Sequence, residues 1–221
     1  MPPADAGGDA AVPRKTSGPS ARERRSQHKR QAVLDGARRE FLQHGYAATS
    51  MDRVAAAAGV SKATVYGHFA DKQALFRALT EAMVGERLSE LFGASAQQAL
   101  PAEPAAALRE LAARCLECRH SQPQFLDFLR LVIAESERFP ELAKTFLAQL
   151  ELTGVGRVTA LFEAIAGAAE AELRARLFMG ALVHLILMQD LLHGREVAPV
   201  DREAYAELLV RLVSAPPGTP G

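Results

Sequence analysis

The sequence predicts an all-α protein, and three observations carry that expectation. Apolar residues recur at three- and four-residue steps along most of the 221 residues, the period of one buried helix face. Alanine, the strongest helix former, is abundant. No run alternates β-branched and polar residues as a half-buried strand would. At 48% hydrophobic, the chain can bury a sizeable core, as one large domain or two smaller ones.

Residues 1–25 are rich in Pro, Gly, Ala, Ser and Arg without apolar periodicity, and read as a disordered basic arm carrying Arg14, Lys15, Arg22, Arg24 and Arg25. The first helix runs from about Ser26 to Gln43, with Val33, Ala37 and Phe41 as its buried stripe. His44-Gly45 stops it, Gly45 suiting a left-handed cap. Thr49-Ser50-Met51-Asp52 matches a capping box, with the Thr49 hydroxyl and the Asp52 carboxylate on free amides. The second helix ends near Ala58, Gly59 turns the chain, and Ser61 caps a third short helix. Asp71 caps a fourth, reaching Leu91. The divisions expected are therefore 26–72 for a three-helix unit, 73–214 for a helical body and 215–221 for a disordered tail.

Formal net charge is zero, but the charge is not evenly spread. Residues 14–72 hold 12 basic against 5 acidic side chains, and residues 73–221 hold 14 against 19. A basic front on an acidic body points to a polyanion for the front alone. Two short helices joined by Ala58-Gly59-Val60-Ser61 have the layout of a helix-turn-helix. In that motif the first turn of the second helix faces base edges in the major groove. Ser61, Lys62 and Thr64 occupy that turn, with Tyr66 and His68 nearer the duplex backbone. Val65 and Phe69, four apart, point inward. Gly67 costs a helix about 1 kcal/mol relative to alanine; either DNA or the first helix comes close there.

The ordered set Phe41-Leu42-Gln43-His44-Gly45-Tyr46, Ala48-Thr49-Ser50, Val54-Ala55, Ala58-Gly59-Val60-Ser61-Lys62, Val65-Tyr66-Gly67-His68-Phe69, Lys72 and Leu75-Phe76 resembles the DNA-binding domain of the TetR/AcrR family of transcriptional regulators. That resemblance implies a homodimer with N-terminal helix-turn-helix domains and a C-terminal helical domain for dimerisation and a small ligand. It implies, most often, a repressor released from its operator by that ligand. It places Thr49 and Ser50 on phosphate at the start of the second helix, Ser61, Lys62, Ala63 and Thr64 in the groove beside Gly67, and Tyr66, His68 and Lys72 on the sugar-phosphate backbone. Arg130-Leu131-Val132-Ile133-Ala134-Glu135 and Arg138-Phe139-Pro140-Glu141-Leu142 are similar to the AefR-like subgroup, whose members can sit near efflux genes.

The body offers an expected ligand pocket of Phe125, Phe128, Leu129, Phe162 and Met188, anchored by Gln124, Arg130 or His184. Leu177, Ala181, Leu185 and Met188 lie on a helix apolar on most sides, which a second subunit would cover as half of a four-helix bundle. Cys115-Leu116-Glu117-Cys118 lacks a second ligand pair for zinc. The cysteines read as small buried hydrophobes, with a redox-responsive regulator as the alternative. A DNA-binding module without small-molecule control is the other alternative. No phosphate loop, nucleophile elbow or metal cluster is present, so neither enzyme activity nor a cofactor is expected. No signal peptide is visible, and the longest apolar run, Leu177–Met188, is shorter than a membrane span. A cytoplasmic protein is expected.

Overall fold

The computed structural model describes residues 20–93 and 103–215, and every regular element among them is helical. Helix α1 (Ala21–Ala48) begins with a capping box at Ser20 and Glu23, five residues before the expected start. Residues 21–25, expected in the arm, are its opening turns; residues 1–19 lie outside the described residues, as do 216–221 of the expected tail. The Ser20 and Glu23 side chains bond each other's backbone amides and supply what a sequence this polar lacks in packing. Val33, Ala37 and Phe41 are each 0% exposed, as the stripe predicts. Gly45, at φ +80°, breaks the helix.

Helix α2 (Met51–Ala58) is capped by Ser50, not Thr49. Ser50 Oγ accepts the Arg53 amide at 3.3 Å. Thr49 is buried, and its hydroxyl donates to the Gly45 and Glu40 carbonyls at 2.8 and 3.1 Å. The Gly45 break exposes those carbonyls, which is why the cap moves one residue along. Gly59 supplies the left-handed turn at φ +65° into α3 (Lys62–His68), and Asp71 caps α4 (Lys72–Phe92) as expected. A Cβ on Gly36 would lie 2.9 Å from the Ala58 backbone, so close packing of α1 on α2 depends on that glycine. At Gly67 a Cβ would meet nothing within 4 Å, which removes the reading that it relieves packing against α1.

The body comprises α5 (Pro104–Leu116), α6 (Cys118–Ser121), α7 (Pro123–Glu135), α8 (Pro140–Leu150), α9 (Gly156–Ala166), α10 (Ala168–Ile186) and α11 (Arg202–Val213). Proline in the first turn of α5, α7 and α8 fits positions whose amides have no helical partner. Leu75, Leu79 and Met83 of α4 are buried in one core that continues through the body to Val210 of α11. Aromatic rings carry that continuity. Phe76 packs 5.5 Å from Phe41 and 5.4 Å from Tyr46 on one side, and stacks 5.5 Å from Phe128 on the other. Phe128 then meets Phe146 at 6.1 Å, and Phe146 meets Phe125 at 6.3 Å. Such pairs each add about 0.5–1.5 kcal/mol beyond the area they bury.

The far end of α10 widens into a π-helical turn, Leu187–Leu191. It places the Asp190 carboxylate, 0% exposed, against the guanidinium groups of Arg195 and Arg202. Arg202 also donates to the Leu116 carbonyl, and Arg130 donates to the Asp190 carbonyl at 3.0 Å. The Asp190 carboxylate thus ties α10 to α11 and, through Arg202, to α5, while its backbone carbonyl holds Arg130 of α7. Among the described residues no helix is long and apolar enough to cross a membrane.

Candidate nucleic-acid interface and its linked cavity

The start of α3 is built by Ser61. Its Oγ accepts the Thr64 amide at 3.1 Å and bonds the Thr64 hydroxyl at 2.9 Å. These two hydroxyls, expected in the groove, therefore already hold each other and fix the helix start. Val65 and Phe69 are buried as predicted and anchor the inner face. The outer face presents Lys62, Ala63, Tyr66 and Gly67 to solvent, with His68 half-buried. Lys62 Nζ lies 2.8 Å from Asp52 on α2, and that hydrogen bond and charge raise its pKa. Both partners are more than half exposed, so the pair is worth little and can yield to a phosphate.

Lys72 stands elsewhere than expected. Its Nζ donates to the carbonyls of Tyr46, Ala47 and Thr49 at 2.8, 3.3 and 2.9 Å, and lies 4.4 Å from the Tyr46 ring centroid. Burial lowers its pKa, opposed by the Glu135 charge. It closes the α1–α2 corner rather than facing outward to a duplex. Thr49 is likewise turned inward, which leaves Ser50 and the exposed first turn of α2 at the position expected for phosphate.

The same corner is held from the body. Past Gly45 the Tyr46 and Ala47 amides are free of the helix, and Glu135 Oε1 at the end of α7 accepts both, at 3.0 and 3.4 Å. A Cβ on Gly45 would sit 3.1 Å from that oxygen. The positive φ and the incoming carboxylate both require glycine there.

From Phe125 to Ile133, α7 also lines a cavity of about 320 Å³ among α4, α5, α7, α8, α9 and α10. Phe125 and Leu129 line it, as predicted. The remaining predicted positions do not. Phe128 belongs to the aromatic chain, and Phe162 packs on Phe178 at 6.0 Å between α9 and α10. Gln124 accepts from Arg38 of α1 at 3.3 Å, and Arg130 pairs with Asp127. His184 and Met188 are exposed on the outer side of α10 and its π turn. The polar wall is formed instead by Arg87 of α4, Cys115, Cys118 and Glu151. Arg87 is 3% exposed. It extends the four-residue series Leu75, Leu79, Met83, which is the signal that places it inside. Both cysteines are free and buried. Burial pushes the Cys115 thiol up to about 11 and raises Cys118 as well, so neither is poised as the thiolate that redox chemistry needs.

On α10 the expected dimer positions separate. Leu177 is 66% exposed, whereas Leu185 is 3% exposed and belongs to the core. Ala181 is half-buried, its carbonyl accepting from the Tyr205 hydroxyl at 3.0 Å. The exposed apolar stripe is Leu173, Leu177 and Met188, continued by Leu208 and Leu212 on α11.

Comparison with known proteins agrees with this architecture. Residues 33–79 match the family described as bacterial regulatory proteins, tetR family, and residues 106–215 match the AefR-like transcriptional repressor C-terminal domain. The HTH-type transcriptional regulator AcrR of Shigella flexneri is 33% identical over 130 residues, covering 58% of each chain. The solved structure of the flavonoid-responsive regulator FrrA is 30% identical over 85% of this chain and 95% of its own, with a TM-score of 0.62. A TetR-family regulator from Mesorhizobium loti superposes with a TM-score of 0.69 over 86% of this chain and 96% of its own, at 23% identity. These relatives are regulators of transcription, not enzymes. Matched in both its helix-turn-helix part and its helical body, the chain belongs to the TetR family of bacterial transcriptional regulators.

Proposed function

We propose that this regulator is a dimeric repressor that reads a palindromic operator through α3 and leaves it when a small apolar molecule enters the cavity. The observation that carries the reading is the double engagement of α7. Phe125, Leu129 and Ile133 line the cavity, while Glu135 caps the corner that carries α2 and α3. Helix α4 makes a second link, from Lys72 at the corner to Arg87 and Leu91 at the cavity. A ligand that displaces either helix changes the separation of the two α3 helices in the dimer. Only a separation of about 34–36 Å places both in successive major grooves. The shift is bounded by the ligand's differential affinity for the two states, typically about 5–150-fold in operator affinity. FrrA's description as flavonoid-responsive supports small-molecule control.

The exposed stripe of α10 and α11 supports the dimer. Large apolar side chains in a row on two adjacent helices mark a protein interface, and α10 with α11 from each subunit would form a four-helix bundle.

Salt titration tests the DNA-binding half of the reading. Neutralising several phosphates releases counterions, so log affinity is expected to fall linearly with log salt. Lys62→Ala should weaken binding and lower that slope by about one unit. Affinity that does not change between low and physiological salt would contradict it.

A further inference from the structure

The cavity's charges define what it takes, on the reading that it is the effector site. Two charged residues line it, and each already has a partner. Arg87 Nη1 lies 2.8 Å from Glu90 Oε2, and its Nη2 donates to the carbonyls of Arg114 and Cys115 at 3.2 and 3.1 Å. Glu151 pairs at 2.9 Å with Arg176 on the exposed outer side. The rest of the wall is almost wholly aliphatic and aromatic, with two thiols that burial holds protonated. A ligand carrying a net charge would have to be desolvated opposite charges that are already neutralised, which is costly. A cation would in addition face the Arg87 guanidinium. Arg87 nevertheless keeps a donor: a guanidinium has five N–H groups, the oxygen partners named occupy three, and the Cys115 thiol accounts for a fourth. Its face also lies 5.9 Å from the Phe125 ring centroid, so an aromatic wall stands beside the donor.

We propose that the effector is an uncharged, largely apolar molecule with one hydrogen-bond acceptor, such as a carbonyl or ether oxygen, seated against Arg87. Ile133, Leu147 and Val183 line the cavity yet are 42–57% exposed, so they form its rim and the route in. The acceptor therefore points inward to α4 and the apolar end toward the rim. Contact with Arg87 places the ligand on the same helix that begins at the α1–α2 corner.

Four probes on one phenylbutyl skeleton test this on the full chain by calorimetric or thermal-shift titration: n-butylbenzene, benzylacetone, phenylbutyrate and phenylbutylamine. Benzylacetone should bind about 3–10-fold more tightly than n-butylbenzene, the increment of one net hydrogen bond. Phenylbutylamine should bind about tenfold more weakly than benzylacetone, or not measurably. Arg87→Met should erase the ketone's advantage while n-butylbenzene still binds. Because Arg87 also ties α4 to α5, Glu90→Gln provides a second reading that keeps those contacts. It frees the guanidinium charge and should move phenylbutyrate to first rank. Binding of the amine as tight as the ketone, or a Glu90→Gln variant with unchanged ranking, would overturn the proposal. Failure of all four probes, n-butylbenzene included, would overturn the cavity's role as the effector site and this proposal with it.

Discussion

Leu177→Arg is expected to give a folded, helical monomer that has lost its hold on a two-half-site duplex. Leu177 is 66% exposed on α10, one turn from Leu173 at 65%, and Leu212 of α11 is 64% exposed. Removing a side chain that exposed takes little from the subunit's own core, so circular dichroism and the thermal midpoint should change little. A guanidinium in the centre of an apolar bundle seam, meeting its own copy across the two-fold axis, is desolvated and repelled. Linking two DNA-reading modules raises avidity by about 10²–10⁴-fold over one, and that factor is what the monomer loses. Sedimentation and operator binding measured on the same preparation check both halves. Dimers of unchanged stability would move the interface away from this stripe. Leu185→Arg is not the equivalent test, because Leu185 is core and its replacement would unfold the subunit.

Asp190→Ala is expected to produce a large loss of stability for a single polar side chain of the body. Its carboxylate is 0% exposed while Arg195 and Arg202 are 32% and 25% exposed. Truncation leaves two cations facing an apolar gap, and breaking a buried pair costs about 3–5 kcal/mol. The partial exposure of both arginines lets water recover some of that, so about 2–4 kcal/mol is expected. In a chain of this size that lowers the thermal midpoint by roughly 4–16 °C. A change under about 1 kcal/mol in chemical denaturation would show that the packing of α5, α10 and α11 does not depend on this carboxylate.

How far these features could be read from sequence followed the range of the interactions that make them. Ser61, Asp71 and Gly59 were legible because a cap or a left-handed turn is made by neighbours within four residues. The core stripe of α1 was legible from period alone. Thr49 and Lys72 were placed on DNA by the family resemblance, which carries over positions and not the contacts made in this chain. Their real partners are carbonyls freed by the Gly45 break, which no local pattern shows. Gln124, Arg130 and His184 stood out as polar points among apolar residues, yet each is accounted for at a helix–helix contact or on the outer surface. Arg87 was overlooked although the four-residue step from Met83 leads to it. Glu135 caps a corner 89 residues before it in sequence, and only the fold brings the two together.

Selection of bound duplexes from a randomised library tests the central claim, a two-fold dimer reading DNA through α3, most directly. The expected product is an inverted repeat whose half-sites are centred about one helical turn, 10–10.5 base pairs, or a multiple of it apart. Selection repeated with Thr64→Ala, which removes the hydroxyl partner of Ser61, should alter preference at one or two positions within each half-site and leave their spacing unchanged. A library that returns no enriched sequence, or a single unrepeated site, would contradict the account.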